Sequence, residues 1–294
     1  MENLINLGDL TKEEILDLLA LAKDIKFNPE KYAKAMEGRV LGMIFEKPSL
    51  RTRVSFEAGM SKMGGSAIFL SKGDIQLGRG ETIGDTARVT SRYVDLIMAR
   101  VFEYSTIEEL AKSATVPVIN GLTNTNHPCQ ILSDLLTVSE KFGKLEGLKV
   151  AFVGDCSNNT CNSWAAAAPK LGIELRCGFP EGYGPVVEKG CKLMHDVKDA
   201  VKGADVVYTD TWMSMHIAED ERTKRLADLD GYRVTKGLMK LAKPKAIFMH
   251  CLPAHRGEEV ATEVIDGPQS VILDQAENRM WMQNAIMLRL LKIA

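Results

Sequence analysis

Short apolar runs alternate with longer amphipathic stretches along almost the whole chain, and this alternation constrains the fold more than any other feature. Val40–Phe45, Ser66–Leu70, Asp95–Arg100 and Val116–Ile119 read as strands, with helices over Arg51–Met63, Glu81–Tyr93 and Ile107–Lys112 between them. A long helix is expected from Pro128 to Phe142, with proline in the first turn, where its missing N–H costs nothing. After Lys144-Leu-Glu-Gly147 the cycle restarts: strands at Lys149–Gly154, Glu174–Cys177, Asp205–Thr209 and Ala246–Met249, helices at Asn162–Leu171 and Glu219–Leu229. A last amphipathic helix covers Ala276–Leu291.

Strands joined through helices pair in parallel and carry helices on both faces. The expected fold class is therefore α/β: two α/β/α domains, each with a mainly parallel central sheet, linked by helices. The boundaries read as 1–133 and 134–275, with 276–294 a C-terminal helix packing back toward the N-terminal domain. A chain of 294 residues has room for two such domains.

Lys plus Arg number 37 against 39 Asp plus Glu, a formal net charge of −2, which argues against a general nucleic-acid binder. No apolar run is long enough for a membrane span. The opening Met1-Glu2-Asn3-Leu4 does not read as a secretory signal. Six cysteines in this length are too few for a disulfide scaffold and point to a reducing, cytoplasmic compartment. Those at 156, 161, 177 and 191 lack Cys-x-x-Cys spacing, so no metal site is expected.

In open parallel sheets ligands sit beyond the carboxyl ends of the strands, so the loops after the strands carry the functional argument. Glu46-Lys-Pro-Ser49-Leu50-Arg51-Thr52-Arg53 places hydroxyls, guanidinium groups and free backbone amides at a helix N-terminus. That is either an anion site or a solvated first turn capped by Ser49. The loop from Ser71 to Thr82 offers Lys72, Gln76 and Arg79 to an anion, or is simply a surface loop. Arg100 ends a strand at the same sheet edge, and His127 and Gln130, opening the next helix, either present donors to a carbonyl oxygen or cap that helix. No Gly-x-x-x-x-Gly-Lys-Ser/Thr occurs, which disfavours a P-loop nucleotide site.

In the second half, Val150-Ala-Phe-Val-Gly154-Asp155 opens like a dinucleotide fold, but no Gly-x-Gly-x-x-Gly follows. Asn158 and Asn159 suit a small polar substrate instead. Asp210 either holds an ammonium or forms a buried salt bridge or cap. Cys251 beside His250 looks like a nucleophile, yet neighbours on an extended chain face opposite ways, so Cys251 reads as a substrate contact. One half thus supplies groups for a phosphate-bearing electrophile and the other for a small cationic amine. That combination fits group transfer from an acyl phosphate to an amine.

Ser49-Leu50-Arg51-Thr52-Arg53, His127-Pro128-Cys129-Gln130, Asp210-Thr-Trp-Met-Ser214-Met215, His250-Cys251-Leu252-Pro253 and Ala276-Glu-Asn-Arg279 resemble, in order, the signatures of the ornithine carbamoyltransferase family. The resemblance covers nearly the whole chain, and Cys251 separates this branch from the aspartate carbamoyltransferases. It implies a carbamoyl-phosphate-binding domain over 1–133 and an ornithine-binding domain over 134–275. Ser49, Leu50, Arg51, Thr52, Arg53 and Arg100 would form the phosphate site. His127 and Gln130 would hold the carbamoyl group, and Arg279 would contact the same substrate. Gln76 would reach into a neighbouring subunit's site, implying a homotrimer with shared sites. Asn159, Asp210, Ser214 and Met215 would bind ornithine, with Cys251 and Leu252 lining the point where its δ-amine meets the carbamoyl carbon. Arg51, Arg100, His127 and Cys251 are the expected catalytic group, with no metal and no cofactor. The product would be citrulline, for arginine synthesis; putrescine, N-acetylornithine and a catabolic direction remain open alternatives. One departure bears on the acceptor: the family's Ser-Met is normally followed by glycine, whereas His216 follows here.

Overall fold

Parallel pairing runs through two separate sheets. In the computed structural model, which describes residues 1–73, 75, 80–187, 189–213 and 217–294, the chain divides into two units: Met1–Leu136 with Glu277–Ala294, and Thr137–Ala276. Gln76, Ser214, Met215 and His216 lie outside the described residues.

The first unit follows the order α1 (Lys12–Phe27), α2 (Pro29–Tyr32), β1 (Val40–Phe45), α3 (Leu50–Lys62), β2 (Ser66–Ser71), α4 (Ile83–Thr90), β3 (Leu96–Arg100), α5 (Tyr104–Ser113) and β4 (Val118–Leu122). Its sheet runs β2-β1-β3-β4, all parallel. The chain leaves the unit within α6 (Pro128–Phe142). Ile44, Ile97, Ala99 and Val118 pack against Ala87 of α4 and Ile107 and Leu110 of α5, which buries one sheet face. β4 starts two residues later than the sequence suggests, because Pro117 has no N–H for the ladder and only its carbonyl is used, accepting from Ile97 N at 3.0 Å. The helix α1, absent from the sequence reading, has a full capping box: Thr11 accepts from Glu14 N and Glu14 accepts from Thr11 N.

The second unit contains β5 (Lys149–Val153), α7 (Asn159–Ala167), β6 (Glu174–Gly178), β7 (Cys191–Met194), α8 (Val197–Val201), β8 (Val206–Thr209), α9 (Arg222–Leu229), α10 (Lys236–Met239), β9 (Ile247–His250) and α11 (Thr262–Ile265). Its sheet order is β7-β6-β5-β8-β9, again all parallel. Ala151, Val153, Val207 and Phe248 form a core with Val234, Leu238, Val264 and Ile265. On the other side Phe152 stacks on Tyr208 at 5.1 Å, with Trp164 edge-on to Tyr208 at 6.0 Å. The chain returns to the first unit within α12 (Ile272–Leu290).

The registers align the functional loops. Phe45 pairs with Arg100 and Arg100 with Leu122, so the segments after β1, β3 and β4 leave one sheet edge together. In the second unit Val153 pairs with Thr209 and Thr209 with His250, so Asp155, Asp210 and Cys251 leave another.

Candidate active site

In the first unit the chain turns from β1 directly into α3. Ser49, in extended backbone, caps the helix by accepting from Thr52 N at 3.2 Å, and its hydroxyl lies 3.1 Å from that of Thr52. Ser49 is therefore a helix cap. Arg279, buried on α12, donates from Nη2 to Thr52 Oγ1 at 2.8 Å and from Nη1 to Gln130 Oε1. Gln130 passes the interaction on, donating from Nε2 to Asp134 Oδ1 at 2.8 Å. Thr52, Gln130 and Arg279 come from α3, α6 and α12, and only the fold brings them together.

His127 is buried, and its imidazole is held well below the usual histidine range, first by burial and then by the positive charges of Arg279, Arg100 and Arg51. A neutral imidazole can donate one hydrogen bond without carrying charge. Lys47, overlooked in the sequence, is buried beside these groups. Burial and then Arg100 push its ammonium down to about 8. It donates to Asn124 Oδ1 at 2.5 Å and sits 4.6 Å from the Phe102 ring centre. Of the other expected residues, Arg53 pairs with Glu57 at 3.0 Å and covers the Phe69 ring at 3.8 Å, and the Leu50 side chain is exposed.

In the second unit, the buried Asp210 accepts from Thr211 N at 2.7 Å and from the Cys251 thiol at 3.0 Å, both on Oδ1. No cation pairs with its carboxylate among the described residues. Asn158 caps α7, accepting from Cys161 N at 2.9 Å, while Asn159 is half-buried at the helix start. Asp155 accepts from Ser157 and from Arg225, whose Nε donates to Trp212 O at 2.9 Å. His250 serves the backbone rather than Cys251: its Nδ1 accepts from Leu252 N at 2.8 Å, leaving Nε2 to donate to the buried Glu259 at 3.2 Å. Leu252 itself adopts φ 60, a left-handed conformation that leucine takes only under constraint.

Both units are α/β scaffolds with polar groups gathered after their strands, the arrangement of a two-substrate group-transfer enzyme. Residues 2–140 match the carbamoyl-P binding domain of the aspartate/ornithine carbamoyltransferases, and residues 146–290 match the Asp/Orn binding domain. The chain belongs to this family. It is 50% identical to an ornithine carbamoyltransferase of Methanobrevibacter smithii, over 99% of this chain and all of that protein. An anabolic ornithine carbamoyltransferase of Pyrococcus furiosus is 50% identical, over 97% of this chain and 95% of the relative. The solved structure of ornithine carbamoyltransferase from Pyrococcus furiosus superposes with a TM-score of 0.93 at 49% identity, covering 98% of this chain and 96% of that one. The anabolic enzyme of Campylobacter jejuni gives 0.91 at 39% identity, covering 99% of each chain.

Proposed function

We propose that this chain transfers the carbamoyl group of carbamoyl phosphate to the side-chain amine of L-ornithine, giving L-citrulline and phosphate in the direction of arginine synthesis. The observation that carries the reading is the buried, neutral His127 acted on by Arg51, Arg100 and Arg279. Three guanidinium groups suit a phosphate dianion, and a neutral imidazole suits a carbonyl oxygen. Asp210, buried without a cation among the described residues, supports an ammonium-bearing acceptor.

In this reading Ser49, Leu50, Arg51, Thr52, Arg53 and Arg100 receive the phosphate, Arg53 exchanging Glu57 for it. His127 and Gln130 hold the carbamoyl oxygen and amide, and Arg279 orients Gln130. Asn159, Asp210, Ser214 and Met215 hold the amino-acid end of ornithine, and Cys251 and Leu252 line the approach of its δ-amine. The neutral amine attacks the carbonyl carbon, the C–N bond forms and the C–O bond to phosphate breaks. The attacking nitrogen gives up one proton, which balances the departing phosphate as hydrogen phosphate. Charge grows on the carbonyl oxygen and then on the leaving phosphate, and preformed donors stabilise both without reorganising; one such donor is typically worth about 3–4 kcal/mol. Alignment of the two substrates lowers the barrier further.

The working assembly in this proposal is a cytoplasmic homotrimer in which Gln76 completes a neighbour's site. Light scattering on the purified protein tests the assembly. No described helix is long and apolar enough to cross a membrane. The function is tested by supplying carbamoyl phosphate with ornithine, putrescine, N-acetylornithine or aspartate, and following ureido product and phosphate release together. Fast ureido formation with ornithine alone is expected. Preference for another amine would keep the carbamoyl half and overturn the acceptor assignment.

A further inference from the structure

Four of the six cysteines gather in the second unit, and none of the four is assigned to either substrate. Cys156 lies in the loop after β5, Cys161 in the first turn of α7, Cys177 in β6 and Cys191 at the start of β7. Spacings of 5, 16 and 14 residues carry no ligand signature, and it is parallel pairing that collects them. Phe152 of β5 pairs with Cys177, and Leu175 of β6 pairs with Cys191. The sulfurs of Cys156, Cys161 and Cys177 all lie within 4.8 Å of one another, and all three side chains are fully buried. Cys161 and Cys177 stand 3.6 Å apart. Cys191, half-exposed on the edge strand, lies outside that triangle but interacts with Cys177, its thiol donating to Val187 O at 3.7 Å.

A disulfide joins two sulfurs at about 2.0 Å and has no use for a third. A tetrahedral zinc-class ion with bonds of about 2.3 Å sets its sulfurs roughly 3.8 Å apart, close to the 3.6 Å between Cys161 and Cys177 and within the 4.8 Å that bounds the other two separations. We propose that Cys156, Cys161 and Cys177 bind a thiophilic divalent cation of the zinc class, with Cys191 as fourth ligand on the solvent side. Binding forms four metal–sulfur bonds and releases four thiol protons to water, leaving a tetrathiolate centre of net charge −2; no electron moves. The centre ties β6 and β7 to the β5–α7 loop, which carries Asn158 and Asn159, and so stiffens the acceptor half.

The test is a Co²⁺ titration of the full-length, reduced protein after treatment with a chelator. The expected result is one Co²⁺ per chain with thiolate-to-cobalt charge-transfer bands, displaced by Zn²⁺, and a rise in Tm on adding Zn²⁺. Cys177→Ala is expected to abolish the bands, and Cys191→Ser, a half-exposed and mild change, to weaken binding at least tenfold. Cys129→Ser and Cys251→Ser are expected to retain them. Absence of the bands in the unmutated protein would overturn the site, as would bands surviving Cys177→Ala. A Cys161–Cys177 disulfide with no metal uptake after reduction would overturn it in favour of a redox pair. Cobalt affinity unchanged in Cys191→Ser would remove Cys191 from the ligand set.

Discussion

The Cys251 thiol donates to Asp210 Oδ1 over 3.0 Å. The two residues stand one position beyond the paired Thr209 and His250, so the register of β8 and β9 sets the contact. In the proposed reading the acceptor's ammonium then takes Oδ2 of Asp210. Asp210→Asn removes a charge-assisted hydrogen bond, worth about 1.5–3 kcal/mol. The ornithine KM should therefore rise about 10- to 100-fold while the carbamoyl phosphate KM stays within about twofold. Steady-state kinetics with each substrate varied in turn checks the split. An equal rise in both constants would show that Asp210 supports the site as a whole rather than the amine.

His127 gives a prediction about pH. Burial and three neighbouring arginines hold its imidazole well below the usual range, so the folded protein keeps it neutral where an unfolded chain, titrating near about 6.5, would take a proton. The unfolded state then binds more protons, so this group's contribution to stability is complete above about 6.5 and is lost as pH falls below it. Urea unfolding at pH 7.5 and 5.5 should show the loss, and His127→Asn should diminish it. The same substitution should lower kcat by about 10²–10³-fold with the acid side of the pH–rate profile unmoved. A profile whose acid limb shifts in the variant would mean that His127 titrates in catalysis.

The alternation of strands and helices was readable because each central strand is apolar on both faces. β7 escaped notice for the opposite reason: Cys191-Lys-Leu-Met is a half-exposed edge strand with no apolar run. α1 escaped although its capping box, Thr11 to Glu14, is visible in the sequence. At the site, Ser49 and Thr52 are neighbours and could be read together. The bridge from Thr52 through Arg279 to Gln130 joins positions as many as 227 residues apart, and no local pattern encodes it. Nothing local marks Lys47 in the sequence; it is the fold that buries it against Asn124 and Phe102. The cysteine cluster is hidden in the same way, because sheet pairing rather than spacing assembles it.

Lys47 is expected to act on stability and on phosphate binding with opposite signs. Its ammonium is pushed down to about 8, first by burial and then by Arg100. Between about 8 and the ordinary lysine value near about 10.4 the unfolded chain keeps a proton the folded chain has lost, so this group makes stability rise with pH across that window. Below it, the charge is held at a cost that a bound phosphate would offset. Lys47→Met should accordingly raise Tm at pH 7 and raise the carbamoyl phosphate KM. The rise in that KM expected of the unmutated protein as pH passes about 8 should disappear in the variant. A variant less stable at pH 7 would show that the hydrogen bond to Asn124 and the contact with Phe102 outweigh the cost of burial.

Gly154 directly follows β5 at φ 103, a conformation that side chains resist, immediately before the loop of Asp155 and Asn158. A methyl group there would lie 2.6 Å from Trp212 Nε1 and 3.5 Å from Thr209 Oγ1. Trp212 is buried, and its carbonyl accepts from Arg225, which also pairs with Asp155. Gly154→Ala combines backbone strain of about 1–3 kcal/mol with overpacking of similar size, so a loss of about 2–5 kcal/mol is expected in denaturant unfolding. The displaced indole also disturbs Arg225 and Asp155, so the ornithine KM should rise and the carbamoyl phosphate KM should hold. Adding Trp212→Phe removes the indole nitrogen that the methyl group meets and should recover the overpacking share while leaving the strain in place. If the double variant is no more stable than Gly154→Ala, the whole cost lies in the backbone, and the indole yields to the methyl group.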